Sequence, residues 1–180
     1  MTMLEDELLK WRFKRGSREG LARIYEKYVN VLLSVAMGLL NDPHEAQDVV
    51  QDVFVAFAKK SEAMELKGSL RAYLVKSVVN GVRDRIRSER SRRRRVDRRE
   101  TACPTVGAAD QSLIYSERCA RLGAALAELP YEQREVVVLK VKHEMKLKEI
   151  ARLQGVSIST VNGRYRYGLD KLRTLLNGEI

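Results

Sequence analysis

The chain has 180 residues, 44% hydrophobic and 32% charged, and its 34 Lys+Arg against 24 Asp+Glu give a formal net charge of +10. That apolar fraction can build packed cores and excludes wholesale disorder, and the length admits one domain or two small ones. Two cysteines in no metal-like spacing and two distant histidines exclude a disulfide scaffold and a histidine-rich metal site, and the longest apolar run, 31–40, is too short for a bilayer core of about 30 Å.

With three prolines in the whole chain, an all-α fold is expected. A short helix is expected over 4–14; the early acids there, with no apolar core behind them, predict no export and a cytoplasmic location without membrane insertion. Leu21, Ile24, Tyr25, Tyr28, Leu32, Val35 and Leu39 recur at three- and four-residue steps and predict a long amphipathic helix, ended by Asn41-Asp42-Pro43. Asp42 then offers an N-cap, Pro43 suits the first helical position, and Glu45 follows three residues after the cap. This next helix runs to about residue 60 and buries Ala46, Val49, Val50, Val53, Phe54 and Phe57. Gly68 breaks the chain in a loop around 65–69, and a further helix runs from about Leu70 into a run of arginines.

Between Arg83 and Glu100 stand ten arginines and four acids, a net of +6 that leaves +4 for the remaining residues. Such concentration is the footprint of a polyanion partner. A solvated arginine run would account for Arg92 to Arg95. It accounts less well for Arg83 and Arg87, one turn apart on a helix that also carries Val78, Val79, Val82 and Ile86. One apolar face and one arginine face suit packing on one side and phosphate on the other.

Composition shifts after residue 97. The stretch 98–112 has no apolar periodicity and reads as a flexible linker between a first helical domain, 1–97, and a second, 113–180. In the second, one helix runs to Leu129, Pro130 opens the next at its first position, and two more cover 147–154 and 157–176. Val136 to Val141 resembles a buried strand, yet its flanks have helical period and no pairing strand is in view. The last two helices have helix-turn-helix features. Ala151 is small where the helices must approach, Gly155 suits a tight turn, Val156 plugs it and Ser157 can cap the second helix. Val161, Tyr165, Gly168, Leu169 and Leu172 face inward, while Ser159, Asn162, Gly163 and Arg166 point away, flanked by Thr160 and Tyr167. That outward set suits a helix lying in the major groove.

The order of parts resembles the small two-domain sigma factors of bacterial RNA polymerase, the extracytoplasmic-function type. LARIYEKYVNVLLSVAMGLLNDPHEAQDVVQDVFVAFAKK is similar to the family's polymerase-docking helix pair. SLRAYLVKSVVNGVRDRIRSERSRRRR resembles its promoter-melting helix, and ALAELPYEQREVVVLKVKHEMKLKEIARLQGVSISTVNGRYRYGLDKLRTLL its helix-turn-helix domain. The resemblance implies a promoter-specificity subunit, not an enzyme, with no metal or cofactor. It implies as partners core RNA polymerase (the clamp coiled coil of its largest subunit, and the flap), promoter DNA and an inhibitory anti-sigma factor.

Carried over residue by residue, the resemblance assigns core-polymerase docking to Glu45, Asp48, Gln51 and Asp52; the three acids fall on one face, opposite Val49, Val53 and Phe57, and Gln47 stands where the family usually has an acid. It assigns the unpaired minus-ten strand to Lys67, Ser69, Asn80, Arg83 and Arg87. The loop 67–70 resembles the segment that captures a flipped base, and Tyr73 replaces the family's common Trp. It assigns the minus-thirty-five element to Ser159, Thr160, Asn162, Gly163, Arg166 and Tyr167, with Arg164 on phosphate; Asn162 suits adenine. Two other readings stay open on the residues alone. One is a stand-alone helix-turn-helix regulator; the other is a nucleic-acid enzyme with Glu45, Asp48 and Asp52 as metal ligands.

Overall fold

The computed structural model describes residues 3–60, 68–95 and 111–178. Every regular element among them is helical: α1 (Met3–Lys14), α2 (Arg18–Leu40), α3 (Pro43–Ala58), α4 (Leu70–Arg95), α5 (Gln111–Ala127), α6 (Tyr131–Val137), α7 (Leu147–Gln154) and α8 (Ile158–Asn177). Two compact units divide the chain, Met1–Arg83 and Asp84–Ile180, so the division falls inside α4. Lys67 and residues 96–110, with most of the expected linker, lie outside the described residues. The last two linker residues, Gln111 and Ser112, instead open α5. A helix's first turn needs no apolar side chain, so periodicity begins later than the helix does.

Caps explain the boundaries of the first unit. Ser17 accepts a hydrogen bond from the Gly20 N–H and starts α2, and Asp42 accepts from His44 and Glu45 and starts α3. Each cap contributes about 1 kcal/mol. Asn41 ends α2 in the left-handed region, φ 56°, which asparagine tolerates better than most residues. The core is made by Ile24, Leu32, Val35 and Leu39 of α2, the six predicted residues of α3, and Leu70, Leu74, Val75, Val78, Val79 and Val82 of α4. Tyr25 departs from expectation: it is 47% exposed, its ring 4.8 Å from that of Phe54.

A polar clamp and an aromatic stack fix α1. Asp6 accepts from the Tyr28 hydroxyl at 2.7 and 2.8 Å and from Lys27 at 2.8 Å, while Phe13 stacks on Phe57 with ring centroids 4.2 Å apart. Burial alone would raise the Asp6 carboxyl, but the bonds from Lys27 and Tyr28 and the Lys27 charge outweigh it and hold its pKa below 3.8.

In the second unit α6 runs into a π-helical turn, Val138–Lys142, and Val136, Val137, Val138 and Leu139 are all buried, so the ambiguous apolar run is helical. Pro130 is the N-cap of α6 and not its first residue, because its ψ of 138° lies outside the helical range. Arg134 reaches back to donate to the Ala127 and Leu129 carbonyls and closes the end of α5. Ala125, Leu129, Val137 and Leu172 form a core cluster, with Tyr165 and Leu169 packed against it. At Gly168 α8 approaches α6 so closely that a Cβ would stand 2.9 Å from Val137 Cγ2.

Candidate functional site

The helical period of α3 separates three faces. Ala46, Val49, Val50, Val53, Phe54 and Phe57 are buried; Asp48, Gln51 and Asp52 are exposed, and Glu45 is half-buried at the first turn. Beside the carboxylates α2 and α3 leave an open groove of about 780 Å³, lined by Tyr25, Val29, Gln47, Gln51, Phe54 and Val55 among others. Tyr25 and Val55 are each 47% exposed. An apolar trough next to a carboxylate-bearing helix face can receive a partner helix that carries both apolar and basic side chains. The groove was missed in the sequence, where Tyr25 looked like core; Val55, a large apolar residue outside the predicted buried set of α3, was its visible sign. Among the described residues no three His, Cys, Asp or Glu gather as metal ligands, so the three acids of α3 make a stripe and not a cage.

Ser69 caps the start of α4: its hydroxyl accepts from the Ala72 N–H at 3.4 Å. Asn80 and Arg87 are exposed and Arg83 is half-buried; Arg87 pairs with Asp84 at 3.4 Å, an exposed i,i+3 contact worth little in water. Gly81 seats this helix on α3: a Cβ there would come within 3.1 Å of Val49 Cγ1. Close packing at Gly81 with exposure at Asn80 gives α4 the buried and presented sides that its sequence predicts.

The turn between α7 and α8 has the expected construction. Ile150 and Ala151 are buried, Gly155 has φ 68°, and Ser157 accepts from the Thr160 N–H at 3.0 Å. Lys146, a poor cap by type, is compensated by Glu149, whose carboxylate accepts from the Lys146 backbone N–H at 2.9 Å. Val161, Gly168 and Leu172 are buried, while Ser159, Thr160, Asn162, Arg166 and Tyr167 are exposed, Tyr167 by 70%. A Cβ at Gly163 would meet nothing within 4 Å, so bare backbone faces outward there.

Arg164 is placed differently from these. Its guanidinium donates to Gln154 Oε1 at 2.6 Å, and the Gln154 amide in turn donates to the Glu132 carbonyl and to Glu135 Oε1. It therefore ties α8 to α7 and, through Gln154, to α6. Sequence reasoning overlooked Gln154 and the fully buried Glu135, and no local pattern marks either. It also overlooked Ile158, 49% exposed beside Ser159.

A bundle with an exposed acidic face, an arginine-bearing helix and a capped helix-turn-helix is the architecture of a DNA-reading subunit that works with a protein partner. Residues 24–92 match the Sigma-70 region 2 family model, and residues 119–172 match Sigma-70, region 4. The chain is 31% identical to the RNA polymerase sigma-E factor of Streptomyces coelicolor, over 83% of this chain and 84% of that one. It is 23% identical to the ECF RNA polymerase sigma factor SigW of Bacillus subtilis, over 98% of each. Its fold is similar to that of the sigma factor RpoE, solved in complex with the anti-sigma factor NepR from Bartonella quintana: TM-score 0.70, 20% identity, covering 88% of this chain and 98% of that one. The chain belongs to the sigma-70 family, among its extracytoplasmic-function members. It directs RNA polymerase to promoters. A stand-alone helix-turn-helix regulator leaves the region 2 match without a purpose.

Proposed function

We propose a division of labour among the residues of this sigma factor. Asp48, Gln51 and Asp52, with Glu45 at their edge and the α2–α3 groove beside them, dock on the clamp coiled coil of the largest polymerase subunit. Ser69, Asn80, Arg83 and Arg87, together with Lys67, hold the unpaired minus-ten strand. Ser159, Thr160, Asn162, Gly163, Arg166 and Tyr167 meet the minus-thirty-five element, Arg164 standing behind them, and the second domain rests on the flap. The domains are 1–97 and 113–180, joined by 98–112. The subunit performs no covalent chemistry and works in the cytoplasm, where an anti-sigma factor holds it inactive, as NepR accompanies RpoE in the similar structure.

One observation carries the docking assignment. A chain of net charge +10 keeps Asp48 and Asp52 exposed on one face of α3, beside an unfilled apolar groove. Like-charged carboxylates a turn apart repel one another and are complementary to a basic helix. The test is co-elution with core RNA polymerase on a sizing column. Wild type should co-elute, and Asp48→Arg and the groove variant Val55→Asp should not, with melting temperatures unchanged. Co-elution of both variants would count against this face.

A further inference from the structure

We propose that Lys10 is a positioning residue for promoter opening: from α1 it holds the Gly68 carbonyl and so fixes the start of α4. The inference rests on the reading of α4 as the minus-ten helix. Lysine is almost never buried without partners, since desolvating its charge is costly unless hydrogen bonds replace the lost water. Yet Lys10 is only 7% exposed. Its ammonium donates to Glu7 Oε1 at 2.6 Å and to the Gly68 carbonyl at 2.5 Å, 58 residues away in sequence. Glu7 is an exposed i,i+3 neighbour that a surface lysine could reach without burial. What burial adds is Gly68.

Gly68 has φ 102°, a conformation that side-chain-bearing residues rarely adopt, and a Cβ there would meet nothing within 4 Å. Its role is thus conformational: it turns its carbonyl to the ammonium. The next residue, Ser69, caps α4, and Leu70 after it is fully buried. The peptide between the bond from Lys10 and the cap of α4 is held at both ends.

The anchor itself is tied to the bundle at several points. Asp6, Lys27 and Tyr28 fasten α1 to α2, Phe13 stacks on Phe57, and the Phe57 ring lies 6.0 Å from that of Tyr73 in the first turn of α4. So α1 grips the entry of α4 twice, by the ammonium at Gly68 and by the Phe13–Phe57–Tyr73 chain. Ser69 and Asn80 reach an unpaired strand from a prearranged frame, which lowers the ordering cost of capturing it.

The test uses holoenzyme assembled from the full chain and core polymerase, on a promoter fragment that wild-type holoenzyme selects from a random library. 2-Aminopurine at successive non-template positions of the minus-ten element reports strand opening. Lys10→Met should slow opening about tenfold, the worth of one hydrogen bond to a charged group. Core affinity should be unchanged, and Lys10→Arg should restore most of the rate. Gly68→Ala, which disturbs the carbonyl without filling space, should reproduce the defect and serves if Lys10→Met folds poorly. Wild-type opening by Lys10→Met or by Gly68→Ala overturns the inference. So does a Lys10→Met defect that falls in step with melting temperature and core affinity, which marks a merely structural lysine. Asn80→Ala runs in parallel: wild-type opening in that variant counts against the reading of α4, not against Lys10.

Discussion

Gly168 shows how little freedom the reading helix has. Its missing side chain lets α8 lie against Val137 and Gln133, and the Cβ of Gly168→Ala would stand 2.9 Å from Val137 Cγ2. Overpacking of this kind costs about 1–3 kcal/mol, so the variant should melt earlier in a thermal scan. Arg164 and Arg166, two residues apart, should separate by a different measurement. Arg166→Ala, losing an exposed cation, should keep its melting temperature and lose about 1–3 kcal/mol of binding at one base position of the minus-thirty-five element. Arg164→Ala breaks the bond to Gln154 and should lower the melting temperature of the free protein. No change there would return Arg164 to a simple phosphate contact. Both arginines were legible as cations on the recognition helix; which of them the fold itself uses was not, because Gln154 lies on another helix.

At the scale of elements, the seating of α1 depends on pH. Its clamp rests on Asp6, whose folded pKa lies below the ordinary 3.8 because the bonds from Lys27 and Tyr28 outweigh burial. A depressed carboxyl contributes stability that is complete above the unfolded value and is lost as pH falls through the folded one. Wild type should therefore melt above Asp6→Asn at pH 7, and the gap should close in titration below pH 3.8. A gap that persists in strong acid would show that packing, not charge, carries the clamp. The six buried positions of α3 were all legible, because a helix against a core buries a contiguous arc. Tyr25 on α2 was misplaced by the same rule. Periodicity gives its angle on the helix, and whether α3 covers that angle depends on how the two axes cross.

For the whole molecule, the two-domain reading predicts the outcome of limited proteolysis. Cleavage should come first within 98–112 and leave two folded pieces, each retaining helical circular dichroism; a single resistant core would refute the division. Helix caps, apolar arcs and the arginine-rich end of α4 were determined by the sequence itself. Each is written within one or two turns of chain, and local hydrogen bonding and periodicity carry it. Tertiary structure alone decided that Lys10 reaches Gly68, that Arg164 is held by Gln154, and that Tyr25 walls a groove beside the α3 carboxylates. These pairings join different elements of the chain, and they depend on how packed helices approach one another, a distance that no local pattern encodes.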